Sequence, residues 1–211
     1  VYNSKGEEVL TAEMIFSPKL IQAYDKLRKS RKSIPCADNI QKIDSFVINS
    51  WLSRMLIERL EEKTNYIRSL LDFTKNHWEE SFYITLAKSF GFKINSLPFE
   101  LLAKSLPLIV LAKNKTDRFT LEALLFGQAG FLNEDINDGY YLKLKKEYGY
   151  QKNKYNLKAI DHHIWKFLRI RPFNFPTVRI SQFADLIYKS THLLSKITEV
   201  KNVQNLYGMF D

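Results

Sequence analysis

The stretch that most constrains this chain is FVINSWLSRMLIERLEEKTNYIRSLLDF, residues 46–73. Ile48, Trp51, Leu52, Met55, Leu56 and Leu60 recur three and four apart, and Ile67, Leu70 and Leu71 continue the series. Residues at that spacing share one face of an α-helix, so the pattern predicts a long amphipathic helix. Asp44 and Ser45 stand before it as caps.

The same pattern, punctuated by caps and breakers, runs through most of the chain. Ser17-Pro18 is a helix start, a serine cap followed by proline at the first helical position. The helix it opens should run to about Arg31, before Ser33-Ile34-Pro35-Cys36 breaks it. Asn76 is placed to cap HWEESFYITLAKSF, which stops at Gly91. PFELLAKSL is entered through Asn95-Ser96-Leu97-Pro98 and ended by Pro107; LIVLAKN and TLEALLFGQAGFL follow. After an acidic loop from Asn133 to Gly139, YYLKLKKEYGYQKNKYN reads as a basic, tyrosine-rich helix weakened by Gly149. Asp161 can cap DHHIWKFLRI, Arg171 to Pro176 is a rigid connector, and VRISQFADLIYKS is a last amphipathic helix with a shorter one after it. The sum is a mainly α, globular multi-helix domain over residues 17–211, since helices of this length joined by short loops favour such packing over a coiled coil.

Residues 1–16 read differently. Val1 and Tyr2 resemble the end of a strand, Asn3-Ser4-Lys5-Gly6 is turn chemistry with Gly6 free to take positive φ, and Glu7 to Met14 extends again. An isolated two-stranded hairpin is marginal in water. The expectation is a short N-terminal β-hairpin that is the stub of, or link to, a missing N-terminal domain.

At 211 residues, 45% hydrophobic and 14% aromatic, the chain can bury a core and lacks the composition of a disordered one. No apolar run approaches the ~20 residues that span a bilayer, and no membrane partner is expected. The one cysteine, Cys36, cannot make an internal disulfide or a cysteine zinc site and reads as a packed residue. The compartment expected is reducing and cytoplasmic.

The net charge of +9 is segregated. Between Gly139 and Ile180, Lys143, Lys145, Lys146, Lys152, Lys154, Lys158, Lys166, Arg169, Arg171 and Arg179 are opposed by only Glu147 and Asp161, a local net of +8. Lys19, Lys26, Arg28, Lys29, Arg31 and Lys32 form a second cluster against Asp25. Such segregation fits an anionic partner, DNA or RNA; lysines that solvate a helical surface would look similar. In WKFLRIRPFNFPTVR, arginines interleave with Trp165, Phe167, Phe173 and Phe175, as on surfaces that bind single-stranded nucleic acid. Arg169, Arg171 and Arg179 are either a partly buried structural network or ligand-facing. The candidate nucleic-acid-binding set is therefore Lys143, Lys145, Lys146, Lys152, Lys154, Arg169, Arg171 and Arg179.

No catalytic residue, metal site or cofactor is assigned. His162 and His163 are adjacent, and neighbours in a helix point about 100° apart, which argues against a shared metal. His77 and His192 are isolated. There is no P-loop, G-x-G-x-x-G or G-x-S-x-G. Gly127 and Gly130 in FGQAGF admit close approach of a second helix or of a phosphate, helix packing being the simpler reading.

SWLSRMLIERLEEK, FGFKINSLPFELLAKSLPL, LEALLFGQAGFL and WKFLRIRPFNFPTVRISQFA together resemble an uncharacterised bacterial family, domain of unknown function 2851, common in Bacteroidetes, over about Val1 to Ser195. The resemblance implies that this chain is the C-terminal half and that the absent N-terminal half is similar to PD-(D/E)XK nucleases. It carries no catalytic residue into these positions. The expectation is a non-catalytic helical nucleic-acid-binding module of a nuclease-like protein. The alternative is a structural and protein-interaction platform that packs on the missing domain or on a second copy of itself, with the apolar helix at 119–132 as a contact.

Overall fold

The computed structural model describes residues 4–7, 18–31, 33–34, 42–190 and 193–200. Among them lie nine α-helices: α1 (Pro18–Arg28), α2 (Ser45–Phe73), α3 (Trp78–Phe90), α4 (Ser96–Ser105), α5 (Leu108–Lys113), α6 (Arg118–Gln128), α7 (Gly139–Tyr155), α8 (Pro176–Lys189) and α9 (Leu193–Glu199). Two single 3-10 turns, His162–Ile164 and Pro172–Asn174, interrupt the segment between α7 and α8. The described residues contain no strand, and most of the expected hairpin, like Cys36 and His192, lies outside them. Gly6 does take the positive φ anticipated for it, +77°. The chain divides into two units, residues 1–63 and 64–211.

In the first unit α1 stops at Arg28, where Asp25 is bracketed by Arg28 at 2.9 Å and Lys29 at 2.5 Å. The start of α2 is capped as expected: the Phe46 N–H donates to Asp44 Oδ1 at 2.7 Å. Its apolar stripe is present but exposed, Trp51, Leu52 and Met55 each at 61%.

The second unit holds the core. Ile84, Phe99, Leu102, Leu106, Leu111, Leu121, Leu124, Leu125, Ile180 and Phe183 are fully buried. Helix α3 packs on α4 and α8, and α6 packs on α4, α7 and α8. Phe183 of α8 sits 4.9 Å from Phe90 and 5.9 Å from Tyr83, ring centre to ring centre. The helix at 119–132, expected as a surface contact, is instead part of this core. Its apolar residues leave almost no exposed face because α4, α7 and α8 surround it.

The local signals explain most boundaries, with two corrections. His77, not Asn76, caps α3: its Nδ1 accepts from the Glu80 N–H at 3.2 Å, while Asn76 takes φ +62° in the preceding turn. The helix expected from Asp161 is only a 3-10 turn; Asp161 caps it by accepting from the His163 N–H at 3.0 Å, and Trp165 is already extended. Trp165 is drawn out of helix by its own contacts. Its indole Nε1–H donates to Ala129 O at 2.9 Å, and its ring meets Phe99 and Phe131 at 5.1 and 5.5 Å.

Helix α6 ends in a Schellman motif. The Gly130 N–H donates to Gly127 O and the Phe131 N–H to Phe126 O, both at 3.0 Å, and the Phe126 and Phe131 rings touch across the turn. Gly130 takes φ +84°, and a Cβ there would lie 2.7 Å from Ile160 O. The segment 157–167 therefore lies against the end of α6 as a strap.

Candidate nucleic-acid interface

Helix α7 carries most of the candidate lysines, and its burial pattern decides where they point. Asp138 caps it, its Oδ1 accepting from the N–H groups of Tyr140 and Tyr141 at 3.0 and 2.8 Å. Leu144, Tyr148 and Gln151 are its buried residues. Tyr148 fits because position 127 of α6 is glycine; a Cβ there would lie 2.0 Å from Tyr148 Cγ. The Tyr148 hydroxyl donates to Gln128 Oε1 at 3.0 Å, and Gln128 Nε2 donates to Lys158 O at 2.7 Å and Ser105 O at 3.0 Å. One fully buried amide thus joins α4, α6, α7 and the strap. Burial pushes the Tyr148 hydroxyl up to about 12, so it is a neutral donor at any physiological pH.

With that face fixed, the 100° step of the helix divides the lysines between two flanks. Lys143, Lys146 and Lys154 share one flank with Tyr150, which is 62% exposed. Lys145 and Lys152 take the other. Lys145 is committed: its Nζ donates to Glu134 O at 2.9 Å and lies 3.8 Å from Asp135. Phe119, Lys143, Lys146, Glu147 and Tyr150 line an open groove of about 430 Å³. Glu147 is the one acid in it, and its Oε1 is occupied, accepting from Gln151 Nε2 at 2.8 Å and Thr120 Oγ1 at 3.3 Å. Lys154 Nζ lies 5.8 Å from the centre of the Tyr150 ring. Among the described residues, Lys143, Lys146, Lys152, Lys154, Arg169 and Arg171 make no ion pair.

The three arginines separate. Arg169 sits at φ +62° in an exposed turn. Arg171 is exposed, with Phe173 beneath its guanidinium at 6.0 Å. Arg179 is structural: Nη1 donates to Gln182 Oε1 at 2.9 Å, Nη2 donates to Asn174 Oδ1, and the guanidinium carbon lies 4.4 Å from the centre of the Phe92 ring. Its Nε is buried without a partner, and burial holds its pKa below the usual guanidinium value.

A second charged cluster is internal. Glu100 receives Lys104 Nζ at 2.6 Å and Lys88 Nζ at 2.8 Å, and Lys88 Nζ lies 3.7 Å from the centre of the Tyr66 ring. Burial acts to raise the Glu100 pKa, but the hydrogen bonds and charges of Lys104 and Lys88 outweigh it and leave the carboxyl below its ordinary value. Glu100 is thus the ion-pair partner of Lys88 and Lys104, and His162 Nε2 lies 4.0 Å from Glu134 Oε1. An apolar cleft of about 330 Å³ opens among Phe82, Tyr83, Leu86, Leu108 and Ile187, with Glu79 and Lys115 on its walls. Burial and the neighbouring Lys196 hold the Lys115 ammonium below its usual pKa.

A family model described as "Protein of unknown function (DUF2851)" matches residues 1–211, the whole chain. The chain belongs to the DUF2851 family. No curated protein and no solved structure matches it. The α7 flank, the groove beside it and the exposed Arg169 and Arg171 bring together cations that make no ion pair among the described residues. No described helix is long and apolar enough to cross a membrane. Sequence reasoning missed Gln128 and Asn95, whose partners lie 30 and 71 residues away along the chain. It also missed the cap at His77, for which the dipeptide Glu79-Glu80 in the first turn was an available signal.

Proposed function

We propose that this domain binds nucleic acid through the α7 flank formed by Lys143, Lys146 and Lys154. The observation that carries the reading is the groove in which two of these lysines stand beside exposed Tyr150 and half-buried Phe119 while the neighbouring acid, Glu147, is held by other partners. Ammonium groups with no carboxylate partner have phosphate as their natural ligand, and rings between them offer bases a stacking surface. Arg169 and Arg171 extend the surface; Arg179 supports the fold beneath it. Recognition is of backbone and stacked base, with little sequence preference. If a nuclease-like half accompanies this one, as the resemblance implies, this surface holds the substrate rather than cutting it.

The test is fluorescence anisotropy with labelled single-stranded and duplex DNA and RNA over a salt series. Binding should fall steeply with salt, and reversing Lys143, Lys146 and Lys154 to glutamate should lower the log–log slope on duplex by about 3. Equal affinity for that triple variant and the parent would remove the α7 flank from the reading.

A second reading is favoured by α2. Trp51, Leu52, Met55, Leu56 and Leu60 are each more than half exposed on one apolar stripe, and exposed stripes of that kind mark protein contacts. As an interaction platform, the domain would use α2 rather than the helix at 119–132. Light scattering of the parent and of Leu52→Glu separates monomer from self-association.

A further inference from the structure

We propose that Asp161, His162 and His163, with Glu134 beside them, form a binding site for a divalent transition-metal ion of the zinc type. Adjacent histidines diverge in a continuous helix, but these two lie in an isolated 3-10 turn. No following turn flanks them there, and both rings swing to one side, 4.1 Å apart centre to centre. Asp161, His162 and His163 each offer one ligand atom, and the three atoms lie within 4.8 Å of one another. Glu134 Oε1, outside that cluster of three, lies 4.0 Å from His162 Nε2 and could turn in as a further donor. In a tetrahedral site the ligand atoms lie ~2.0–2.2 Å from the ion; Asp161 and His163 are exposed and His162 is half-buried, so their side chains have room to turn toward one. Two imidazoles with carboxylates select Zn²⁺, Co²⁺ or Ni²⁺ over Mg²⁺ and Ca²⁺, which take oxygen.

Both halves of the site are held by the fold, which distinguishes it from a chance surface cluster. On one side the strap is fixed. The Ile160 N–H donates to Gln128 O at 2.9 Å, Trp165 is anchored on Ala129 O, and the glycine at 130 lets the His162 backbone come close. On the other side the Glu134 backbone is fixed to α7. Its N–H donates to Tyr141 Oη at 2.9 Å, and its carbonyl accepts from the Tyr141 hydroxyl and Lys145 Nζ, each at 2.9 Å. Donors on pre-positioned backbone lose less freedom when an ion arrives. The site does not depend on the nucleic-acid reading.

The experiment is calorimetric titration of the untagged chain with Zn²⁺, and visible absorption on titration with Co²⁺, in one near-neutral buffer. The expected result is one ion per chain and the intense absorption of tetrahedral cobalt. His163→Gln, an exposed substitution that leaves the strap contacts in place, should weaken binding at least ~10-fold. His162→Ala with His163→Gln should abolish it, Glu134→Gln should weaken it less, and His77→Ala should leave it unchanged. Absence of uptake by the folded parent, or uptake that survives in the double variant, would overturn the assignment.

Discussion

Asn95 and Lys166 form a reciprocal pair across 71 residues of sequence: Asn95 Nδ2 donates to Lys166 O, and Asn95 Oδ1 accepts from the Lys166 N–H, both at 2.9 Å. The side-chain amide imitates a neighbouring peptide and satisfies both backbone groups of a residue that belongs to neither helix nor sheet. With Gln128 at the other end, it turns the irregular segment 157–167 into a fixed part of the fold. Asn95→Ala leaves an N–H and a carbonyl without partners, and denaturant titration should show a loss of about 2–4 kcal/mol. Asn95→Asp keeps the acceptor but sets a second carboxylate oxygen against Lys166 O in a buried position, so it should cost at least as much. A loss within error for Asn95→Ala would mean that the strap is held without it.

Gly127 and Gly149 predict opposite responses to the same substitution. A methyl at 127 would enter the Tyr148 ring, whereas nothing lies within 4 Å of one at 149. Gly127→Ala should cost about 3 kcal/mol by overpacking. Gly149→Ala should raise stability by up to ~1 kcal/mol, as alanine does in an exposed helix interior. Thermal unfolding of the two variants, compared with the parent, gives the answer directly; equal midpoints would contradict the α6–α7 contact.

Glu100 supplies a pH signature. Its folded pKa is depressed, so the stability that it contributes is complete above its unfolded value of about 4.3 and is lost as pH falls through the lower folded value. Glu100→Gln should cost about 2 kcal/mol near neutrality, from the loss of two charged hydrogen bonds. The gap between variant and parent should narrow as pH falls below the unfolded value and close below the lower folded one. A gap that persists unchanged in acid would assign the effect to packing.

Arg171 and Arg179, eight positions apart in one arginine-rich phrase, should separate in experiment. Arg179→Ala removes the contacts to Asn174, Gln182 and Phe92 and should lower stability by about 1–2 kcal/mol. Arg171→Ala should leave stability within about 0.5 kcal/mol and weaken nucleic-acid binding instead. The reverse pattern would exchange their roles.

Much of this protein was legible one segment at a time. Asp44 and Asp161 cap where their side chains predict, Pro107 and Gly91 stand at helix ends, and the basic helix forms over its expected span. These outcomes depend on contacts within a turn or two, which sequence spacing encodes. Charge segregation was likewise visible, because it is a sum over residue types.

Tertiary structure alone decided the rest. Tyr148 filling the space at Gly127 set the rotation of α7 and divided its lysines into an uncommitted flank and one where Lys145 is held. The pull of Ala129 and Phe131 on Trp165 stopped the helix expected at Asp161 and so brought His162 beside His163. Asn174, Gln182 and Phe92 took Arg179 into the fold and left Arg171 on the surface. Each outcome depends on which distant side chain occupies a buried position, and spacing along the chain carries no record of that. The sequence by itself determined where helices begin and end and where charge accumulates; packing determined which charges are spoken for.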